Sequence, residues 1–133
     1  MCSAYHEKFT GVRYNYRNLR EILMDKKLAQ LGDAYVNFVY SLALTEMHGE
    51  PIGARVSSDV LAKALKKAQL RKFLPIRIDR HSQGDAAEAL IIYAWLQGAM
   101  SLQETVKFIT AHISNRVEAF TLLLEEITRR VRV

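Results

Sequence analysis

The sequence predicts an all-α domain, and three observations carry that expectation. Apolar residues recur at three- and four-residue steps through most of the chain. Residues that favour helix starts stand before these runs, and glycine or proline stands after them. Half of the 133 residues are hydrophobic and a quarter are charged, enough for one buried core without a metal or disulfide staple.

The first periodic stretch begins near Asn18 and includes Leu19, Ile22, Leu23, the stem of Lys26, Leu28 and Leu31. It continues through Tyr35, Phe38, Val39, Leu42 and Leu44 until His48-Gly49-Glu50-Pro51 stops it. Ser57 or Ser58 caps a helix reaching about Leu70, with Val60, Leu61, Ala64, Leu65 and Ala68 on one face and lysines on the other. Pro75 breaks the chain, and Ile76-Arg77-Ile78 is too short to assign. Gly84 precedes a strongly apolar helix from Asp85 to Gln97, closed by Gly98. Ser101-Leu102-Gln103-Glu104 is a capping box that opens a helix to about Ile113. Asn115 caps the last, whose final turn carries Arg129 and Arg130, the favourable sign for a helix C-terminus. Some six helices are expected to pack as a single domain over residues 1–133, with 1–17 as an N-terminal extension.

Composition narrows the classes further. One cysteine, Cys2, excludes an intrachain disulfide and a Cys-rich zinc module and suits a reducing interior. No apolar run approaches the ~20 residues that span a bilayer, and the N-terminus has no charged-then-apolar signal pattern. A soluble, cytoplasmic protein with no membrane partner is expected. The net charge of +5 permits a polyanionic partner without proving one. Its distribution says more: Lys63, Lys66, Lys67, Arg71, Lys72, Arg77 and Arg80 face a single acid, Asp79, within one stretch. Those cations either contact phosphates or form a solvated helix face. In Arg13-Tyr14-Asn15-Tyr16-Arg17 the tyrosines are expected to pack on the core rather than stack on bases.

Acids among apolar neighbours are the informative anomaly. Asp33 lies within Leu31-Gly32-Asp33-Ala34-Tyr35-Val36, and Asp85 and Glu88 stand at the head of the most hydrophobic helix. Their i, i+3 spacing puts both on one side of what the sequence reads as a first turn. Helix-dipole stabilisation accounts for Asp85 alone, at ~0.3–1 kcal/mol. A second like charge at Glu88 works against it, and clustered carboxylates suit a cation such as Mg²⁺. Other candidates are weaker. Cys2 and His6 supply too few zinc ligands, and His81-Ser82 near Asp79 lacks a nucleophile elbow and reads as a flexible polar turn. His48 and His112 are isolated near helix ends, and no phosphate-binding glycine loop occurs.

Two segments resemble the ribonuclease III family. Leu28-Ala29-Gln30-Leu31-Gly32-Asp33-Ala34 resembles its first motif, Leu-Glu-Phe-Leu-Gly-Asp-Ala/Ser. Asp85-Ala86-Ala87-Glu88-Ala89, followed by an apolar helix and Gly98, resembles the second, Asp-x-x-Glu-Ala. The resemblance covers about Leu19 to the C-terminus. It implies an all-α ribonuclease III-like endonuclease that uses Mg²⁺ or Mn²⁺ to hydrolyse double-stranded or hairpin RNA, leaving a 5′-phosphate and a 3′-hydroxyl. Asp33, Asp85 and Glu88 match metal-binding acids, with Asp33 and Glu88 catalytic and the position of Glu88 the most sensitive. Two positions depart from the pattern: Ala29 replaces a metal-binding glutamate, as in the short bacterial members, and Gln30 replaces an aromatic that plugs into a partner subunit. The resemblance implies a homodimer, here through Gln30, Tyr35 and Phe38, although Tyr35 and Phe38 also read as plain core residues. With no room for a double-stranded-RNA-binding domain, affinity is expected from the basic stretch Lys63–Arg80. The alternatives are a catalytically impaired dimer that binds RNA or a processing partner without cleavage, and a helical interaction module unrelated to RNA.

Overall fold

A computed structural model of the chain describes residues 15–132; Cys2, His6, Arg13 and Tyr14 lie outside them. The described residues form six α-helices and no strands: α1 (Leu19–Leu23), α2 (Lys26–His48), α3 (Ser58–Lys67), α4 (Arg80–Leu96), α5 (Leu102–Ala111) and α6 (Arg116–Arg130). A short 3₁₀ turn, Arg71–Phe73, lies between α3 and α4. No helix among them is long and apolar enough to cross a membrane.

The all-α expectation holds, and most boundaries fall where the capping residues place them. Ser57, Ser101 and Asn115 accept the backbone N–H of Val60, Glu104 and Glu118, and Ser101 with Glu104 completes the capping box. Gly49 ends α2 in the left-handed region at φ 73°, a conformation that costs glycine little. Two boundaries differ. The first periodic stretch is two helices, because the Asp25 carboxylate accepts the N–H of Leu28 at 3.0 Å and caps a new helix. The Tyr16 hydroxyl donates to that carboxylate at 2.6 Å, and its ring meets Tyr93 edge-on, so Tyr16 does pack on the core.

The second difference matters more. Helix α4 starts at Arg80, capped by Asp79, rather than at Asp85. The turn expected at His81-Ser82 is therefore the first turn of a helix. Asp85 and Glu88 fall in its second and third turns, beyond the reach of the dipole argument. Gly84 does not break the helix; it lies buried within it, where an added Cβ would come 3.3 Å from Ser58 on α3.

Helix α4 is the axis of the molecule. From Ala89 onward it is apolar on every side, and a helix of that kind must be enclosed. It packs against α1, α2, α3 and α6, with Ala86 to Ala94 buried without interruption. Its closest approach is to α2: a Cβ on Gly32 would stand 2.2 Å from the carbonyl oxygen of Glu88. Only a glycine lets the two backbones cross there. Gly32→Ala should destabilise the fold by at least ~2 kcal/mol, since backbone, unlike a side chain, cannot step aside. Gly84→Ala should stay within ~1 kcal/mol of the native chain, helix propensity offsetting a tighter contact. Urea unfolding of the two variants side by side checks this.

Candidate active site

The α2–α4 crossing builds the cleft. Asp33 follows Gly32 directly, and Glu88 supplies the carbonyl that Gly32 admits, so the contact that joins the helices also brings these acids together. Asp85, one turn before Glu88 on the same face of α4, completes the set. Asp33, Asp85 and Glu88 line one cleft of about 410 Å³ with Lys26, Ala29, Gln30, Arg55, Val56, Ser58 and His81. All three predicted acids are therefore in one place, and the methyl group of Ala29 lies on the same wall.

Glu88 is the only charged residue among the described ones that is buried, at 7% exposure. Burial raises its pKa from 4.5 to about 8, helped by a hydrogen bond with Asp33 and by the charges of Asp33 and Asp85, and opposed by Arg55. The other two acids are more open, and each has a cation. Asp33 Oδ1 lies 3.5 Å from the Arg55 guanidinium. The Lys26 ammonium stands 3.1 Å from Asp85 Oδ2 and donates to Ser82 Oγ at 3.0 Å. His81 Nε2 is 3.7 Å from Asp85 Oδ1, and its Nδ1 is 3.4 Å from Ser58 Oγ.

Arg55 reaches Asp33 because the 52–56 segment is tied to α2 by a ladder of side chains. Asn37 Oδ1 accepts the N–H of Val56 at 2.8 Å, and its amide nitrogen donates to Asp33 Oδ1 at 3.1 Å. Ser41 Oγ both accepts from and donates to Ala54, and Thr45 Oγ1 does the same with Ile52. Sequence reasoning missed Asn37, Arg55 and Lys26. A signal existed in Asp33, Asn37, Ser41 and Thr45, a polar stripe at four-residue steps along an apolar helix.

As they stand, the acids do not close on a common point: among the described residues, no three His, Cys, Asp or Glu side chains are grouped to hold a metal ion. The donor set nevertheless fits a hard divalent cation: carboxylate oxygens alone, one of them buried and repelled by its neighbours.

Two further surfaces flank the cleft. Beside it on α2, Leu31, Ala34, Tyr35 and Phe38 join Ile92, Trp95 and Leu96 of α4 in an apolar groove of about 440 Å³, with Leu31 and Phe38 half exposed. Tyr35 lies 5.7 Å from Trp95, and burial pushes its hydroxyl up to about 12. Gln30, grouped with Tyr35 and Phe38 by the sequence, lines the acid cleft.

The basic stretch divides. Lys66, Arg71, Lys72 and Arg80 line a second cleft of about 520 Å³ together with the highly exposed Ile76. Arg71 braces that loop through the carbonyls of Pro75 and Ile76, Lys63 and Arg80 pair with Asp59, and Lys67 lies 3.9 Å from Glu118. Lys66, Lys72 and Arg77 are exposed.

Among the described residues the fold is wholly helical and gathers three carboxylates at one helix crossing. Residues 26–133 match the family model described as Ribonuclease III. This chain belongs to the ribonuclease III family, whose members are RNA-cleaving endoribonucleases that generally use a divalent metal such as Mg²⁺ and typically act as dimers. No curated protein matches the chain.

The raised pKa has a consequence for stability. Between pH 4.5 and about 8 the folded protein keeps a proton on Glu88 that the unfolded chain has released, so stability falls as pH rises through that window. In EDTA, the melting temperature should drop between pH 5.5 and 8.5, and Glu88→Gln should flatten that drop by at least ~4 °C. Identical pH profiles for the two proteins would contradict this account of Glu88.

Proposed function

We propose that the protein is a divalent-metal-dependent endoribonuclease of double-stranded or hairpin RNA that works as a homodimer in the cytoplasm. The observation that carries this reading is the meeting of Asp33, Asp85 and buried Glu88 in one cleft, in a chain of this family. These three carboxylates would hold Mg²⁺ or Mn²⁺. When bound, the ion supplies an acidified water and offsets charge on the scissile phosphate. The chain's own residues prepare that chemistry. Asn37 and Arg55 orient Asp33, Lys26 and His81 orient Asp85, and burial keeps bulk water away from Glu88. Hydrolysis there would join a water oxygen to phosphorus and break the P–O3′ bond, with O3′ taking up a proton. A 5′-phosphate and a 3′-hydroxyl result.

Within a single ribonuclease III-like domain, duplex affinity is assigned to the basic surface, chiefly Lys66, Lys72 and Arg77, with Arg71 and Arg80 lining the same cleft. Such contacts recognise the A-form backbone with little sequence preference. The homodimer is assigned to the apolar groove, where Tyr35 and Phe38 stand with Trp95.

Ala29 favours a second reading, a dimer that binds RNA or a processing partner without cutting it. Cleavage of a uniformly labelled duplex in Mg²⁺ or Mn²⁺ separates the two. The native chain should cut and Glu88→Gln should lose at least ~100-fold in rate; binding without cutting by both would establish the second reading. Replacing Lys66, Lys72 and Arg77 by alanine should lower the slope of log affinity against log salt by about 2–3. In sedimentation, Phe38→Glu should convert a dimer to a monomer.

A further inference from the structure

The segment between the 3₁₀ turn and α4 has no regular secondary structure, yet its backbone is braced. Arg71 donates to the carbonyls of Pro75 at 2.9 Å and Ile76 at 2.6 Å, and Gln83 Nε2 donates to that of Ile78 at 3.1 Å. Leu74 is buried and Ile78 packs on the core, so the loop is pinned on both sides of Ile76. Ile76 itself is 90% exposed, whereas Leu31, Phe38 and Met47, the other large apolar side chains exposed among the described residues, are about half so.

A lone apolar side chain in water is ordinary. This one is held out by a fixed backbone rather than by slack in the loop, and its surroundings are selective. Lys66, Arg71, Lys72 and Arg80 line the same cleft, Arg77 follows in sequence, and among the described residues no acid lines it. That ring of charge fits a phosphate backbone. Arg80 and His81, neighbours on α4, line the basic cleft and the acid cleft respectively, so the two adjoin.

Duplexes differ in what they offer an isoleucine. The A-form minor groove of RNA is wide and shallow, with its ribose edges open to contact. The B-form minor groove of DNA is only about 6 Å wide. A short braced loop with a branched apolar tip can lie on the first and is kept out of the second.

We propose that Ile76 is a specificity-determining residue, lying against ribose faces of an A-form minor groove while Lys66, Lys72 and Arg77 take the flanking phosphates. This rests on the reading of the basic surface as the duplex-binding face and deepens it. The cations attract either duplex, and Ile76 favours RNA. Its contribution is buried apolar surface rather than released counterions, so it does not fall with salt as theirs does.

Fluorescence anisotropy of the full-length chain in EDTA, with RNA and DNA duplexes of one sequence across a salt series, tests this. Ile76→Ser should weaken RNA binding about five- to tenfold at every salt concentration. The slope of log affinity against log salt should not change, and DNA binding should stay as it was. Ile76→Leu should keep the native preference for RNA. Both variants should melt as the native chain does, since so exposed a side chain adds little to the core. Unchanged RNA affinity in Ile76→Ser, the result a surface reserved for a protein partner would give, would overturn the inference, and so would an equal loss on both duplexes. The basic-surface reading survives either result if replacing Lys66, Lys72 and Arg77 by alanine still lowers the salt slope. If the native chain binds neither duplex at low salt, that reading fails and this inference fails with it.

Discussion

At the crossing of α2 and α4, the backbone at Gly32 faces the carbonyl of Glu88 with no space for a methyl group between them. That approach does two things at once. It lets α4 sink into the molecule far enough for α1, α2, α3 and α6 to enclose it. It also fixes where the carboxylates fall, because Asp33 is the next residue on one helix and Glu88 is the contact residue on the other. Structure and candidate chemistry therefore share one constraint, and neither can be altered without the other.

An acid held at such a crossing is costly. Glu88 is shielded from water and faces two like charges, and the pressure on it shows in its reluctance to ionise. The protein relieves this at the periphery rather than at Glu88. Arg55 and Lys26 attend the two outer carboxylates and leave the inner one without an ion pair of its own among the described residues. A carboxylate left unpaired beside two others favours the approach of positive charge. This accords with a family whose members generally use a divalent metal.

Much of this was legible in the sequence, for identifiable reasons. Helix ends were readable where a side chain does the capping, as at Ser57, Ser101 and Asn115. The three acids stood out because charge amid apolar periodicity is rare. The start of α4 was misplaced because Gly84 suggested a break, whereas its role is close packing on Ser58, a tertiary contact invisible in one dimension. The split between α1 and α2 was hidden because Lys26 fitted the apolar period by its stem, while Asp25 was ending one helix and starting another. Lys26 and Arg55 could not be assigned for a related reason. They act across 59 and 22 positions of chain, and nothing local marks such partners.

The ladder of Asn37, Ser41 and Thr45 does for the 52–56 segment what a neighbouring strand would do for a β-strand: it fixes register. Rungs one helical turn apart grip the backbone of alternate residues, Val56, Ala54 and Ile52, and leave the backbone of the residues between them ungripped. Arg55 is one of these. The segment is in effect a ruler laid along α2, and the number of residues between Gly49 and the start of α3 becomes a matter of parity. A gain or loss of two would move the pattern along by one rung, whereas a change of one would exchange the gripped residues for the free ones and turn the guanidinium away from Asp33. A connection with no regular secondary structure is thereby held to the length discipline of a sheet.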